Sequence, residues 1–208
     1  MNLNFDDYTA NQRYHLMTQT IIPRPIAWAL TDSNNGNFNL APFSYFTAVA
    51  SAPPMLMISV GKKPNGDDKD TLVNIRDSKK VVIHIASQQQ ASLVSQTAAT
   101  LAHGESELTN TALTTTKFDG FALPRLTQCD IAYGCELYEI KELGDVPQKL
   151  IFVEVKQVYI NDNVASIDVN AHGKERIKVH ADKVKPLARL GGGEFTTIND
   201  PFSLIRPE

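Results

Sequence analysis

The sequence predicts a mainly β protein, a β-barrel with peripheral α-helices, and three observations support this fold class. Short apolar runs bounded by turn residues recur along the chain, as in barrels built from short strands. Asn34-Asn35-Gly36 lies between two such runs, and Asn-Gly accepts the positive φ that a tight hairpin turn needs. In the long runs 130–142 and 149–160 the apolar phase slips from one face to the other, which predicts the bulges or coiling that close a small barrel.

The elements are predicted from apolar spacing together with the turn and capping residues at their ends. The predicted helices lie within residues 5–19, from Lys69-Asp70-Thr71 onward, and from the Ser87–Gln90 capping box to a stop at Gly104. The predicted strands are 26–30, 38–49, 55–60, 80–86, 130–142 and 149–160. Residues 109–125 are threonine-rich and are interpreted as an irregular excursion over the barrel.

The first predicted strand is half-buried, with Ile26, Trp28 and Leu30 on one face and small alanines on the other. Trp28 has three possible roles at this level, namely core packing, stacking on a ligand, or lining a subunit interface. The sequence leaves these alternatives open.

Composition and charge exclude several classes of function. The chain has 208 residues and is predicted to form one domain, 1–208, with an ordinary core. Its net charge of −3, without a basic stripe, argues against a nucleic-acid surface. No apolar run approaches the ~20 residues of a membrane span. Because the acidic, polar start of the chain resembles neither a signal nor a transit peptide, a cytoplasmic location is predicted.

The cysteines and histidines point to no redox or metal chemistry. Six residues of strand place Cys129 and Cys135 about 20 Å apart, too far for a disulfide, so they are interpreted as buried core thiols. His84 lies on a predicted buried strand, and no histidine has a carboxylate at metal-ligand spacing. No metal site is therefore predicted.

A candidate phosphate site lies where the helix begins at Lys69-Asp70-Thr71. The free N–H groups of a helix start, with a hydroxyl and a lysine beside them, suit a phosphate. Asp70 would repel that phosphate unless its carboxylate turned onto the helix amides; Asp70 or Thr71 is the expected cap. Just upstream, the extended stretch 41–47 carries aromatic rings and hydroxyls, which suits a flat heterocycle. Together the two segments predict a mononucleotide site.

An ordered set of short motifs resembles one known family. In chain order they are Pro23-Arg24-Pro25, Asn39-Leu40-Ala41-Pro42-Phe43-Ser44-Tyr45-Phe46, Pro53-Pro54, Ser59-Val60-Gly61, Lys69-Asp70-Thr71 with Asn74-Ile75, and Arg189-Leu190-Gly191-Gly192. The chain thus resembles the flavin reductase-like, FMN-binding split-barrel proteins, a group that includes flavoredoxin. Each tripeptide is weak evidence alone, but the ordered set spans most of the chain and is fairly specific.

The resemblance implies a split β-barrel, a homodimer, and FMN bound near the subunit interface. It places Ser44, Tyr45, Phe46 and Thr47 along the isoalloxazine and ribityl. It places Ser59, Val60, Gly61, Lys69, Asp70 and Thr71 at the ribityl and phosphate, with Arg189 approaching from the C-terminal segment. In such proteins the cofactor accepts the hydride and the protein positions it, so no acid–base constellation is required.

Three functions remain compatible with the sequence. The first is an NAD(P)H-dependent flavin reductase, an oxidoreductase that transfers a hydride to flavin. The second is a flavin-binding electron carrier with little NAD(P)H activity. The third, more distant, is a pyridoxamine-phosphate-oxidase-like enzyme, which shares the barrel. No separate nicotinamide-nucleotide motif is visible, so the sequence does not separate the first two.

Overall fold

The computed structural model describes residues 1–145, 148–169 and 173–205. The helices are α1 Ala10–Thr20, α2 Asp70–Ser78, α3 Ala91–Gln96 and α4 Ala181–Val184, with 3-10 turns at Phe5–Asp7, Gln88–Gln90, Glu107–Asn110 and Asp162–Val164. The strands are β1 Arg24–Pro25, β2 Ala27–Asp32, β3 Phe38–Phe43, β4 Phe46–Ser51, β5 Pro54–Val60, β6 Lys80–Ile85, β7 Thr115–Thr116, β8 Arg125–Leu126, β9 Ile131–Leu143, β10 Gln148–Ile160, β11 Ala165–Val169, β12 Glu175–Val179, β13 Leu187–Arg189 and β14 Phe195–Thr197. The prediction of a mainly β fold with peripheral helices is confirmed.

A seven-stranded antiparallel sheet forms the centre of the fold. Its strand order is β3-β2-β6-β9-β10-β5-β4. A three-stranded sheet of β1, β13 and β14 and the hairpins β7–β8 and β11–β12 lie around it. The prediction of one strand over residues 38–49 is wrong in detail, because the chain leaves the sheet at Ser44 and Tyr45 and re-enters it as β4.

The predicted hairpin at Asn34-Asn35-Gly36 is confirmed. Asn34 and Gly36 have φ of 57° and 85°, and β2 pairs with β3 in register from Ala27–Phe43 to Asp32–Phe38. The alternation along β2 is as predicted, but its half-burial is wrong, since both faces are buried. Apolar side chains cover one face of β2, and α2 covers the other.

The phase slips in the two long strands correspond to bulges. Between β9 and β10 the register shifts between Phe152 and Val153 and again between Val155 and Gln157. An extra residue on one strand bends it and increases its twist, which lets β9 and β10 curl around the core. The bulges predicted from the apolar pattern are confirmed.

Helix α2 is fixed on the sheet by apolar packing and by two buried hydrogen bonds. Leu72 and Ile75 are fully buried against the alanines of β2. Asn74 Nδ2 donates to Thr31 Oγ1 at 3.0 Å, and a second bond joins the first helical turn to β3, as described below. Positions 71 and 74 lie on one helix face, so the same face that packs also makes both bonds.

The segment after β6 differs from the prediction of one helix up to Gly104. The Ser87–Gln90 capping box forms, but it opens a 3-10 turn, and α3 ends at Gln96. Thr97 is then held by the ring of Trp28, whose Nε1 donates to Thr97 Oγ1 at 2.8 Å. Trp28 is fully buried, so its role is core packing rather than ligand stacking or interface contact.

Both cysteines are free and buried within the described chain, Cys129 just before β9 and Cys135 inside it. Burial raises the pKa of each thiol to about 12. Both therefore stay protonated at neutral pH and behave as apolar core side chains.

Within residues 1–145, 148–169 and 173–205, none of the helices is long and apolar enough to cross a membrane. No group of three or more metal-ligating side chains occurs in that part of the chain.

Candidate functional site

Three cavities meet around Pro42 of β3. The strand-end cavity, of about 340 Å³, is lined by Tyr45, Ser59, Gly61 and Lys69. The helix-start cavity, of about 90 Å³, lies between the first turn of α2 and residues 97–101. The arginine cavity, of about 260 Å³, contains Arg189.

Shared walls join these cavities into one depression. Pro42 lines all three cavities. Lys69 lines both the strand-end and the helix-start cavities. Tyr14 and Ser44 line both the strand-end and the arginine cavities. An elongated ligand can therefore run from the start of α2 along the end of β5, with a second ligand beside it.

The strand-end cavity is built where β3 breaks and β5 ends. The Ser59 amide donates to the Tyr45 carbonyl oxygen at 2.8 Å, which fixes the break against β5. A Cβ on Gly61 would lie 3.2 Å from Gln148 Oε1, so glycine leaves space between this strand end and Gln148. Burial raises the pKa of Tyr45, so its hydroxyl stays a proton donor at neutral pH.

Lys69 gives the start of α2 the character of an anion site. It occupies the N-cap position, and its side chain forms no cap. The amides of Asp70 and Thr71 have no acceptor among the described residues. Lys69 Nζ lies 5.4 Å from the centre of the Phe43 ring, and burial lowers its pKa. Since no described carboxylate pairs with Lys69, an anion binding here would meet a partly desolvated cation and two free N–H groups.

Asp70 does not cap the helix as expected. Both of its oxygens accept hydrogen bonds from Lys63 Nζ at 2.9 Å, and Oδ1 lies 2.7 Å from His103 Nδ1. Its side chain is only 12% exposed, so these partners replace most of its water. Asp70 therefore does not serve as the cap, which was expected to be Asp70 or Thr71. Its repulsion of an anion is instead offset by Lys63, which leaves Lys69 unpaired.

Thr71 is buried, and its hydroxyl oxygen is engaged. Asn39 Nδ2 donates to Thr71 Oγ1 at 3.0 Å. Because Thr71 Oγ1 accepts this bond, its O–H proton remains available to donate, and Thr71 lines the helix-start cavity. Thr71 does not cap the helix either.

Four of the residues named by the resemblance lie elsewhere than the strand-end and helix-start cavities. Val60 is fully buried in the core, and Phe46 packs against the same core cluster. Thr47 is exposed on β4 and donates its hydroxyl to the Ala48 carbonyl oxygen. Arg189 lines the separate arginine cavity together with Ser44.

The structure adds residues that sequence reasoning did not assign to the site. Tyr14 of α1 lies on the rim, with its ring centre 6.2 Å from that of Tyr45. Gln148 lines the strand-end cavity. Neither carries a local signal, since each reaches the site only through long-range packing.

Arg24 is a buried residue that holds several parts of the site together by hydrogen bonds. It belongs to the Pro-Arg-Pro motif noted in the sequence. It is 5% exposed and donates to the carbonyl oxygens of Thr18, Ile21 and Leu190 at 2.5, 2.9 and 2.8 Å. Its Nε also lies 3.4 Å from Ser44 Oγ. One buried cation thus ties α1 and the glycine-rich segment to the wall shared by two cavities.

Comparison with known proteins defines the class of this protein. The family described as flavin reductase like domain matches residues 17–176, most of the chain. The chain belongs to this flavin-binding family, and the resemblance inferred from its motifs is confirmed.

Solved structures agree with this class. Nitrilotriacetate monooxygenase component B from Bacillus cereus is 30% identical, with a TM-score of 0.85 and 98% of each chain covered. The 2-nitrobenzoate 2-nitroreductase of Pseudomonas fluorescens is 26% identical, with a TM-score of 0.84 and coverage of 100% of this chain and 96% of that one. A protein from Shewanella frigidimarina, assigned as a flavin reductase with a split barrel domain, is 20% identical, with a TM-score of 0.81 over 99% and 100% of the two chains. This last likeness confirms the split-barrel fold.

Proposed function

We propose that the protein is an NAD(P)H-dependent flavin reductase that binds FMN across the strand-end and helix-start cavities. The observation that carries this proposal is Lys69. It is a partly buried cation with no carboxylate partner among the described residues, beside two helix amides without acceptors and open to the cavity in front of Tyr45. A dianionic phosphate would bind Lys69 and the two helix amides, and a flat ring attached to it would occupy the cavity in front of Tyr45.

The donor set suits each part of FMN. Lys69 and the amides of Asp70 and Thr71 would hold the phosphate. Ser59 and Gly61, at the end of β5, would lie along the ribityl chain, and glycine allows its close approach. Ser44 and Tyr45 would offer hydroxyl donors to the polar edge of the ring. The bound flavin supplies the hydride chemistry, while these residues bind and orient it.

Two solved relatives support the assignment to an oxidoreductase. One is a component of a monooxygenase and the other is a nitroreductase, and both resemble this chain over nearly its whole length. A nicotinamide nucleotide is the common hydride source for such chemistry. The alternative is a flavin-binding electron carrier with little NAD(P)H activity, and flavoredoxin of Desulfovibrio vulgaris shares the fold. The family match favours either over a pyridoxamine-phosphate-oxidase-like enzyme.

Steady-state kinetics separates these two functions. The purified protein is mixed with FMN, and oxidation of NADH and of NADPH is followed at increasing flavin concentration. Saturable oxidation in the presence of FMN supports the reductase. Flavin binding, seen as a yellow protein after gel filtration, without nucleotide oxidation would favour the electron carrier. Absence of any flavin binding would overturn both.

Three further statements remain predictions from the sequence and the resemblance. They are a homodimeric assembly, a cytoplasmic location, and the folding of residues 1–208 as one domain.

A further inference from the structure

We propose that the arginine cavity binds a small aromatic carboxylate beside the flavin. This inference rests on the proposed function, because it takes the strand-end cavity as the flavin site. The family resemblance places Arg189 at the flavin, whereas this inference assigns Arg189 to a second ligand.

Arg189 is the charged side chain of this cavity. Its lining includes no carboxylate, although the cavity is bordered by parts of α1, α3, β3 and β14. The guanidinium carbon lies 4.4 Å from the centre of the Phe195 ring, and Nη2 donates to the Gly192 carbonyl oxygen. The other N–H groups of Arg189 have no acceptor among the described residues. A guanidinium that contacts a ring and bonds one carbonyl oxygen keeps further N–H donors with which it can bind a carboxylate.

The rest of the lining suits a flat apolar body. Phe195 and Tyr14 contribute aromatic surface, and Ile26 and Val94 contribute aliphatic surface. Ser95 and Ser44 add hydroxyl groups at the wall. A ligand with one aromatic ring and one carboxylate suits this lining, because the ring would contact the apolar side chains and the carboxylate would pair with Arg189.

Position makes this ligand a neighbour of the flavin. Tyr14, Pro42 and Ser44 line both the arginine and the strand-end cavities, so ligands in the two cavities would lie side by side. Arg24 holds one part of that wall by its contact with Ser44. A volume of about 260 Å³ with one available cation accommodates a single ring acid better than a dinucleotide, which brings several phosphate charges.

The test uses FMN-loaded protein and benzoate as the probe, followed by calorimetry and by the shift of the flavin absorption spectrum. Benzamide, which has the same shape without the charge, is the ligand control. Arg189→Gln should weaken benzoate about tenfold to a hundredfold, because a charge-assisted pair is lost. Benzamide should bind the variant and the wild type alike, and Arg189→Lys should restore part of the benzoate affinity.

Arg125→Gln is the matched control variant. Arg125 also stacks on a ring, with its guanidinium carbon 3.4 Å from the centre of Tyr159, but it lies outside the cavity. Its substitution should leave benzoate binding unchanged. Urea unfolding of each variant establishes that the proteins compared are folded.

The outcomes separate this inference from the proposed function. Benzoate binding that depends on Arg189, with unchanged FMN affinity in Arg189→Gln, supports the inference. No benzoate binding to FMN-loaded protein, or equal binding to wild type and Arg189→Gln, overturns it while the flavin assignment stands. A loss of FMN affinity in Arg189→Gln would return Arg189 to the flavin site and also overturn it. If FMN does not bind at all, the proposed function fails, and benzoate titration of the flavin-free protein still tests the cavity.

Discussion

The side-chain amide of Asn39 donates to Thr71 Oγ1 at 3.0 Å, and both residues are buried. Asn39 belongs to β3 and Thr71 to the first turn of α2, so this bond joins the strand that bears Pro42 to the helix start that would bind phosphate. This buried hydrogen bond therefore helps to fix the position of the two free helix amides.

Thr71→Val tests this link with almost no change of shape. The variant leaves the Asn39 amide buried without its acceptor, which should lower the free energy of unfolding by about 1–3 kcal/mol. Urea denaturation measures the loss. The Asn39→Leu, Thr71→Val pair should lose less than the sum of the two single variants, since neither polar group is then orphaned. Strict additivity would show that the two side chains do not interact in solution.

Lys69→Ala should weaken FMN about tenfold to a hundredfold, because a charge-assisted hydrogen bond to the phosphate contributes about 1.5–3 kcal/mol. Riboflavin lacks the phosphate, so its affinity should be the same in both proteins. Quenching of flavin fluorescence in titrations of the two ligands gives both affinities.

Lys117→Ala is the control for the Lys69 variant. Lys117 is an exposed lysine paired with Asp119 at 2.9 Å, and its removal changes the net charge equally. If both variants weaken FMN to the same extent, the effect is one of net charge, and Lys69 does not contact the phosphate.

Local signals predicted much of this structure, and long-range contacts account for the rest. The turn at Asn34–Gly36, the start of α2 and the bulges of β9 and β10 each follow from neighbouring residues, and all three were predicted. The end of α3 at Gln96 was not predicted, since Thr97 is held by Trp28, which is 69 positions away in the chain. Burial on both faces of β2 was missed for the same reason, because it depends on where α2 packs.

The candidate site shows the same division. The sequence pointed to the Lys69 and Ser44–Tyr45 segments, and the structure places both on one depression. It did not reveal that Lys63 and His103 bind Asp70, or that Tyr14 lies on the rim. The resemblance placed Arg189 with the flavin, and in the fold Arg189 lines the arginine cavity, which adjoins the strand-end cavity. Motifs identified the segments, but only the tertiary fold determines which of their atoms remain free.

Stability should fall with pH below the ordinary pKa of histidine because of His84. His84 is fully buried; its Nδ1 lies 3.0 Å from the Trp28 carbonyl oxygen, and its Nε2 accepts from the Leu126 amide at 2.9 Å. The neutral ring with its proton on Nδ1 satisfies both partners, whereas a second proton would face the Leu126 N–H. Burial lowers the pKa of His84 to about 4.

The sign of the pH dependence follows from this lowered pKa. Between about pH 6.5 and 4 the unfolded chain binds the His84 proton and the folded protein does not, so the free energy of unfolding falls as pH falls, by at most about 3 kcal/mol. Urea denaturation at several pH values measures the slope. His84→Gln should show a shallower slope over this range than wild type, and an unchanged slope would exclude His84 as its source.

The two cysteines should be dispensable for flavin reduction. Both thiols are buried with a pKa of about 12, so neither offers a thiolate at neutral pH. The Cys129→Ala, Cys135→Ala double variant should keep its flavin-dependent NAD(P)H oxidation within about twofold of wild type, since the proposed chemistry uses no thiol. A disulfide-exchange reagent should label the thiols of the native protein only at the rate at which the protein unfolds and exposes them. Rapid labelling of the folded protein, or lost activity in a folded double variant, would contradict this.

The protein should be a homodimer, and the β11–β12 hairpin gives the prediction a structural basis. Phe43 is buried and Phe46 packs on the core, so these two aromatic rings leave little surface for a partner. Ile167 and Ile177, by contrast, are directly paired on one face of the hairpin and are 67% and 62% exposed. An isolated two-stranded hairpin is marginally stable in water, so an apolar face of this kind favours burial against a second copy.

Light scattering at micromolar concentration should return twice the 23.0 kDa mass of one chain. Ile167→Lys with Ile177→Lys should shift the mass toward that of one chain, because two charges would have to be desolvated in the interface. Asp168→Lys places a lysine on the opposite face of the same hairpin and should leave the mass unchanged. A wild-type particle of 23.0 kDa would refute the homodimer. A dimer that resists the double substitution would place the interface elsewhere, and the exposed edge strand β4 would then be the next surface to substitute.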